Sequence, residues 1–554
     1  MSEYKINIKN YGETEVFDGE SYESLYKRTV KNTGFEALGV KCGNTICELA
    51  DKVSYNGEIE FIDITHNEGM RIYCASASLL LIKACQDVMG KDVPVFIENT
   101  INNNYYCEIR DGKTEAEPEL LEKIEKRMKD LVEADIPFEK VYMKKDDAIE
   151  ICNALGHFDK SRLLRYVKYS TIYMYKIDDF YDYFYGYMVP SSGYIKKFAL
   201  VKYSNGFLLQ FPSVENSDIL QSYDNFDKIS QVFIEQLEWC KLMKVNHVAE
   251  LNDIISKGHF EELVRINEAL HEKKIAQIAD MIAEKRDKIK LVLIAGPSSS
   301  GKTTFAQRLC VQLRVNGITP HVIGMDDFFV NRDETPLDDD GKPDYENINA
   351  LDITLFNNVM NSLIKGEAVN MPSYNFITGR KEYNGRKIKL NEGDIIVCEG
   401  IHGLNDRLTK LIPHENKFKI FISALTQLNI DAHNRVSTTD SRLIRRIVRD
   451  YHFRGNSAAK TIESWPSVRR GEVKNIFPYQ EKADVMFNST TIYELCVLKS
   501  HIEPLLFGID KSMPEYITAR RLLKLMDIVL GVDGCSVPNN SIIREFIGGS
   551  VFKV

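Results

Sequence analysis

The chain has 554 residues, 44% of them hydrophobic and 27% charged, which is typical of a soluble globular protein with three or four domains. Its formal net charge of −9 argues against a broad non-specific grip on nucleic acid. No apolar run approaches membrane-spanning length, the start lacks a secretion signal, and the eleven scattered cysteines are typical of a reducing compartment, so we expect a cytoplasmic protein without membrane contact.

The first 225 residues are predicted to form two α+β domains, residues 1–62 and 63–225. The predicted strands and helices are Tyr4–Ile8, Tyr22–Asn32, Ile59–Ile62, Ala75–Met89 and Glu117–Glu133. Eight aromatic residues lie between Tyr173 and Tyr187. They could stack on bases, but a half-buried aromatic sheet is the commoner outcome because strands favour these residues.

Residues 226–288 show almost unbroken helical periodicity, without proline and with the single glycine Gly258. We predict a helical linker there. Residues 506–554 form a C-terminal tail with one amphipathic helix, predicted at Ala519–Leu530, and the sequence assigns this tail no role.

Between these segments, residues 289–505 alternate short apolar runs with helical segments, the pattern of a doubly wound parallel sheet. The predicted strands are Leu291–Ala295, His321–Met325, Ile395–Cys398, Lys419–Ile422 and Val485–Phe487. We therefore predict an α/β fold for this domain.

A glycine-rich loop of the Walker A type follows the first of these strands and precedes a helix. Its backbone N–H groups would cradle the phosphates of ATP, Lys302 would reach the β- and γ-phosphates, and the Thr303 hydroxyl would bind Mg²⁺. The residues predicted to bind the nucleotide are Gly296, Ser298, Ser299, Ser300, Gly301, Lys302, Thr303 and Thr304.

Two further strands end in carboxylates. Asp326 and Asp327 follow the second strand, and Glu399 ends the third. Because the carboxyl ends of parallel strands meet at one edge of a sheet, we expect these groups near the phosphate loop, with Glu399 organising the metal.

Four arginines recur at helical spacing in one segment: Arg442, Arg445, Arg446 and Arg449, with Arg454 just beyond. A solvated, salt-bridged face is the ordinary explanation for such a run. Beside a phosphate loop, a mobile lid that neutralises charge on the transferring phosphate is the better hypothesis.

The region from about 290 to 500 resembles the uridine kinase branch of the phosphoribulokinase/uridine kinase family. The segments that carry this resemblance are Gly296–Thr304, Met325–Phe329, Pro372–Phe376, Glu399–Ile401 and Arg442–Gly455. The resemblance implies Mg·ATP-dependent phosphorylation of a nucleoside 5′-hydroxyl. It implies catalytic roles for Asp326 as general base, for Lys302, and for Arg449 and Arg454 on the phosphates. It also implies substrate contacts for Glu346, Tyr374, Phe376, Arg380 and Arg446.

One departure concerns the base pocket. Where pyrimidine kinases of the family carry a histidine and one further residue before an arginine, Gly379 runs directly into Arg380. A site without that hydrogen-bonding ring cannot discriminate through it. Another nucleoside, a sugar phosphate or another alcohol therefore stays open as the acceptor. His402 is expected to be structural.

Residues 1 to about 225 resemble the two amino-terminal domains of threonyl-tRNA synthetase, a ubiquitin-like TGS module and an editing-type domain. The two metal-binding pairs of that editing family fall at Cys74 and Ser78 and at Phe184 and Met188. One thiolate does not make a zinc site, so we predict a domain without hydrolytic editing activity. Contact with RNA, an ATP-switched regulator of RNA, and a homo-oligomer remain open.

Overall fold

The computed structural model describes residues 2–214, 216–221, 227–338, 341–426 and 428–553. Its amino-terminal part is a five-stranded sheet of order β2-β1-β5-β3-β4 with one helix packed on it, and β1 and β5 run parallel. Leu25 of the helix is fully buried on this sheet. The elements are β1 Ser2–Ile8, β2 Gly12–Phe17, α1 Tyr22–Thr29, β3 Gly39–Cys42, β4 Thr45–Cys47 and β5 Glu58–Ile62.

The next part contains two antiparallel sheets, of order β11-β12-β7-β6 and β10-β9-β8, around the long helix α2. Its elements are α2 Asn67–Met89, β6 Val95–Ile101, β7 Asn104–Ile109, α3 Pro118–Glu133, β8 Phe138–Lys144, α4 Lys145–Ala154, α5 Phe158–Leu164, β9 Thr171–Ile177, β10 Phe180–Asp182, β11 Ala199–Tyr203 and β12 Gly206–Gln210. Both α+β parts expected from the sequence are therefore present.

Helix α2 is long and apolar enough, by length and composition, to cross a membrane. The expectation from the sequence that no apolar run approaches membrane-spanning length is therefore wrong for this helix. In the structure, 72% of its most apolar window is buried, and its side chains form the centre of a core with α3 and the surrounding strands. This burial is that of a core helix.

Three helices follow: α6 Asp227–Met243, α7 Val248–Ser256 and α8 Phe260–Ala283. The segment predicted as a linker is thus helical, but it is not an isolated connector. Residues such as Val264 and Ile278 of α8 are fully buried in one core with Phe305 and Phe487 of the following sheet domain.

The carboxyl-terminal part is built on a five-stranded sheet of order β14-β19-β13-β20-β21, in which every pair of neighbours is parallel. Its elements are β13 Leu291–Ala295, α9 Lys302–Val315, β14 Pro320–Gly324, α10 Ile353–Ile364, β15 Val369–Asn370, β16 Ser373–Asn375, β17 Arg380–Glu382, β18 Lys387–Ile388, β19 Ile395–Glu399, β20 Lys417–Ser423, α11 Thr438–Arg454, α12 Ala458–Asn475, β21 Val485–Asn488 and α13 Glu494–Phe507. The predicted α/β fold with a parallel sheet is confirmed.

The tail contains α14 Tyr516–Asp527 and α15 Arg544–Ile547. Helix α14 ends three residues before the predicted Leu530, and the ammonium of Lys499 binds the carbonyls of Met526 and Val529 around its end. Residues of the tail belong to the core shared with α8 and α9.

A buried charge cluster joins the amino-terminal part to the loop between β20 and α11. Lys160 pairs with Asp182 and lies 2.8 Å from Nδ1 of His433, and His433 lies 2.6 Å from Asp182. Lys160 and Asp182 are fully buried. Because a buried charge without its partner is costly, this cluster fixes how the two parts of the chain pack.

Candidate active site

The phosphate loop joins β13 to α9 in a tight turn. Gly296 lies against β20, where an added Cβ would clash with the carbonyl of Ile422. Ser299 and Gly301 have positive φ angles of 58° and 78°, which glycine adopts freely and serine only with strain. Lys302 begins α9, and its Nζ donates to the Gly296 carbonyl at 3.0 Å. The loop has the turned-in backbone and the lysine that a phosphate chain requires.

Two arginines of α11 donate hydrogen bonds to backbone carbonyls of this loop. Nε of Arg442 donates to the Ser298 carbonyl at 3.0 Å, and Nη1 of Arg445 donates to the Ser299 carbonyl at 3.3 Å. Each arginine is 1% exposed. These hydrogen bonds hold the carbonyl groups of Ser298 and Ser299 against α11 and so help to fix the shape of the loop.

The same arginines form buried ion pairs, Arg442 with Glu472 and Arg445 with Glu494. Both carboxylates are at most 2% exposed. The sequence hypothesis of a mobile arginine lid is therefore wrong for these two residues. Neither lies on a solvated face, because buried carboxylates from α12 and α13 compensate their charges.

The remaining arginines surround Asp450, which is 2% exposed. Nη2 of Arg449 lies 2.7 Å from its carboxylate, and Nε of Arg446 and Arg454 lie 3.4 and 3.6 Å away. Nη1 of Arg446 also donates to the Ser298 hydroxyl at 2.7 Å. One carboxylate thus gathers three guanidinium groups next to the phosphate loop.

Asp326 lies in the short 3₁₀ turn Met325–Phe328 that directly follows β14. Solvent reaches its side chain, but the surrounding protein desolvates it enough to raise the pKa of its carboxyl. The positive charges of Lys302 and Arg454 oppose that rise, and Asp327 adds to it. Asp326 is therefore close enough to Lys302 and Arg454 for their charges to act on it.

Glu399 ends β19, and one of its oxygens accepts a hydrogen bond from the Thr303 hydroxyl at 3.2 Å. Burial raises the pKa of Glu399 to about 7, and the negative charge of Asp326 contributes while Lys302 opposes it. A nearby cation would stabilise the ionised form of such a carboxyl. A hydroxyl and a carboxylate at this spacing fit Mg²⁺, which keeps several waters and takes further oxygens from phosphates.

The described residues contain no group of three or more His, Cys, Asp or Glu side chains placed to hold a metal. Mg²⁺ at Thr303 and Glu399 would not need one, since the nucleotide supplies the other oxygens.

Glu346 lies beside α12, where Gly471 leaves room for it. Burial raises the pKa of Glu346 to about 7, Glu472 adds to this rise, and Arg446 and Lys302 oppose it. Its Oε2 is buried and accepts no hydrogen bond from the residues that the structure describes. A buried polar atom without a partner marks a place where a ligand hydroxyl would be stabilised.

Three aromatic rings pack against one another in the segments that follow Asp326. The ring centroids of Tyr374 and Phe376 are 5.0 Å apart, and Phe329 lies 5.5 and 6.2 Å from them. Tyr374 is 6% exposed and Phe376 is 58% exposed. Within the cluster, Tyr374 is therefore buried and Phe376 is accessible to solvent.

The turn after Phe376 is the short one noted in the sequence. Gly379 has a φ of 70°, and the side chain of Arg332 packs against it and donates to the Phe376 carbonyl at 2.5 Å. Arg380 begins β17 with an exposed side chain. Of the predicted substrate residues, Arg380 and Phe376 are thus the two exposed ones.

Comparison with known proteins agrees with this geometry. The model of the "Phosphoribulokinase / Uridine kinase family" matches residues 291–495. This region is therefore similar to the kinases of that family, which generally use ATP and Mg²⁺.

The chain is also similar to the uridine kinase of Aliivibrio salmonicida, 28% identical over 222 residues, which are 39% of this chain and 94% of that enzyme. A solved structure, "Structure of a Possible Uridine Kinase from Bacillus stearothermophilus", is 19% identical, covers 38% of this chain and 97% of its own, and has a TM-score of 0.24. At that TM-score the likeness does not bear on this fold.

The amino-terminal region is similar to the threonine–tRNA ligase of Syntrophotalea carbinolica, 29% identical over 172 residues, which are 31% of this chain. The chain spans 27% of that ligase's length. The match confirms the resemblance to threonyl-tRNA synthetase but covers only part of such an enzyme.

In that region, the positions of the editing family's metal ligands hold different side chains. Cys74, Phe184 and Met188 share one apolar core. Burial raises the pKa of the Cys74 thiol to about 12, so the thiol is neutral at pH 7. Ser78 donates to the Cys74 carbonyl at 2.8 Å within the helix. The predicted loss of editing chemistry stays a prediction.

The aromatic section of the same region packs inward. Tyr175, Phe180 and Phe184 are at most 2% exposed. Lys524 of α14 donates to the Tyr173 hydroxyl at 2.7 Å, and burial lowers the pKa of Lys524 to about 8. These rings are chiefly packing surface, as the commoner of the two interpretations expects.

Sequence reasoning missed the carboxylates around the kinase site. Glu472, Glu494 and Asp450 form ion pairs with the arginines, and none of the three was assigned a role from the sequence. His402, expected to be structural, is 1% exposed, and burial lowers its pKa to about 4, which keeps the ring neutral.

Proposed function

We propose that the chain is a Mg·ATP-dependent nucleoside kinase that transfers the γ-phosphoryl group of ATP to a nucleoside 5′-hydroxyl. The observation that supports it most is the convergence of Lys302, Asp326 and Glu399 at the carboxyl ends of three neighbouring parallel strands, within electrostatic reach of one another. A phosphate-binding cation, a base and a metal-organising carboxylate are the groups that phosphoryl transfer uses.

In this proposal the phosphate loop binds the triphosphate, and Lys302 turns from the Gly296 carbonyl to the β- and γ-phosphates. The three arginines at Asp450 stabilise charge on the transferring group. Mg²⁺ held at Thr303 and Glu399 neutralises negative charge on the phosphates when it is bound.

Asp326 takes the proton of the acceptor hydroxyl as its oxygen attacks the γ-phosphorus. One oxygen–phosphorus bond forms while the bond to the β,γ-bridging oxygen breaks, and ADP leaves. The raised pKa of Asp326 suits this role, because a carboxylate with a higher pKa is a stronger base near neutral pH.

A nucleoside fits the acceptor side better than a sugar phosphate. The rings of Tyr374 and Phe376 offer apolar faces to a flat base, and the unpartnered Oε2 of Glu346 suits a ribose hydroxyl. A phosphorylated acceptor would bring two further negative charges close to Asp326 and Glu346.

The test is a panel of nucleosides, sugar phosphates and simple alcohols with Mg·ATP, read by the mass of the acceptor and by ADP release. We expect a mass gain of one phosphoryl group for at least one nucleoside, lost in Lys302→Ala. A mass gain with sugar phosphates alone would replace the proposed acceptor class, and ATP consumption without any phosphorylated acceptor would refute the kinase proposal.

RNA contact by the amino-terminal region is a second proposal, supported by the similarity to a threonine–tRNA ligase. Adding tRNA to the same assay tests it. A tRNA-dependent change in the rate of ADP release supports an RNA-linked regulator, and no effect together with no binding contradicts it.

A further inference from the structure

A short segment that includes helix α15 contacts the phosphate loop. We call residues 541–547 the C-terminal plug. Oε2 of Glu545 accepts two hydrogen bonds from Thr304, from its backbone N–H at 3.2 Å and from its hydroxyl at 2.8 Å. The side chain of Ile542 packs directly against Gly301, where an added Cβ would clash with it.

The plug is anchored from several directions. The Ser541 hydroxyl donates to Glu268 of α8 at 2.6 Å, and the guanidinium of Arg445 lies over the ring of Phe546 at 5.0 Å. Ile542 and Phe546 are fully buried. Thr304 is fully buried as well, so a ligand reaches its N–H and hydroxyl only after the plug has moved.

Glu545 binds hydrogen-bond donors of Thr304 at the start of helix α9, where an anionic ligand would also bind. The N–H of Thr304 belongs to the first turn of α9, and the exposed N–H groups of a first helical turn bind anions. The anion bound there is the Glu545 carboxylate of the chain itself. Its negative charge also acts on Glu399, whose pKa it helps to raise. A nucleotide phosphate would compete with Glu545 for the same donors.

We infer that the C-terminal plug is an internal competitor of the nucleotide, with Glu545 in the place of a phosphate group, so that nucleotide binding requires the plug to be displaced. This inference rests on the proposed function, because it assumes that the loop binds a nucleotide. In this inference the tail inhibits nucleotide binding. The C-terminal plug occupies the phosphate loop until a nucleotide binds tightly enough to displace it.

The test measures nucleotide affinity directly, without an acceptor. Mg·ADP is titrated into the full-length protein, Glu545→Gln and Glu545→Ala by calorimetry, with Glu515→Gln in the same tail as the matched control. Removing the charge that opposes the phosphate should tighten Mg·ADP binding about tenfold in both Glu545 variants and leave the control unchanged.

A second readout follows the plug itself. Cys535 is exposed and lies six residues before the plug, whereas Cys47 is half-buried and the other nine cysteines are buried. A thiol-reactive fluorophore on Cys535 should change its emission when Mg·ADP displaces the plug. In Glu545→Ala that change should occur at about tenfold lower nucleotide concentration.

The outcomes separate this inference from the proposed function. Equal Mg·ADP affinity in all four proteins overturns the inference and leaves the kinase proposal intact. Tighter binding in the Glu545 variants, with no phosphorylated acceptor in any panel, supports the inference and refutes the proposed reaction. No nucleotide binding by any of the proteins refutes both.

Discussion

Replacing Glu399 by glutamine should stabilise the folded protein, and by an amount that depends on pH. Burial raises the pKa of Glu399 from its ordinary value of 4.5 to about 7. A carboxyl with a raised pKa in the fold keeps its proton there while the unfolded chain releases it, so ionisation lowers the free energy of unfolding as pH rises from 4.5 to 7. Above pH 7 the loss is complete. At about 1.4 kcal/mol for each tenfold change in proton affinity, it amounts to about 3 kcal/mol.

Glutamine has nearly the shape of the protonated carboxyl and cannot ionise. The variant should therefore match the wild type near pH 4.5 and gain stability up to pH 7 and beyond. For a domain of this size, each kcal/mol in the free energy of unfolding shifts the thermal midpoint by about 2 °C. The midpoint of the variant should therefore be about 6 °C above that of the wild type at pH 8. The assay is thermal unfolding of both proteins between pH 5 and 8 without Mg²⁺ and nucleotide, with the exposed Glu392→Gln as control.

A difference in midpoint that is the same at pH 5 and pH 8 would refute the reasoning, because it could not arise from ionisation of Glu399. A pH-dependent gain in Glu392→Gln would refute it as well. Added Mg²⁺ should stabilise the wild type above pH 7 and leave Glu399→Gln unchanged, since the variant has lost the anionic ligand.

Three further substitutions test the site. Asp326→Asn should lower kcat by about 10² to 10⁴ while the Kd for Mg·ADP stays within twofold, because it removes a base and not a phosphate contact. Arg442→Met should lower the free energy of unfolding by about 3 kcal/mol, since Glu472 loses one of its buried partners, and Glu472→Gln in the same chain should restore part of it in thermal unfolding. Gly296→Ala should weaken Mg·ADP binding at least tenfold through its clash with β20, whereas Gly324→Ala, whose Cβ would meet only Oδ2 of Asp327 at 4.0 Å, should not.

Each of these has an outcome that contradicts it. Near-normal kcat in Asp326→Asn would remove the base from the proposed mechanism. Stability unchanged by Arg442→Met would show that the buried pair is not needed to hold the loop. Equal Mg·ADP affinity in the two glycine variants would show that the loop does not depend on its close approach to β20.

The sheet domain and much of its site could be predicted from local sequence patterns alone. Strand runs such as Leu291–Ala295 and the glycine-rich loop after it are local patterns, and local sterics and hydrogen bonding decide them wherever the chain goes. The rule that parallel strands end at one edge then brings Asp326 and Glu399 to Lys302 without further information.

Which charged side chains face the candidate site and which stabilise the fold could be read only from the packing of distant segments. Arg442 and Arg446 belong to one helix and one sequence pattern, yet Arg442 is buried on Glu472 while Arg446 contacts the Ser298 hydroxyl. Glu545 reaches Thr304 across 241 positions of the chain. Such pairings depend on packing between distant segments of the chain. Burial decides whether a charged group needs a protein partner, and local sequence patterns do not show which groups become buried.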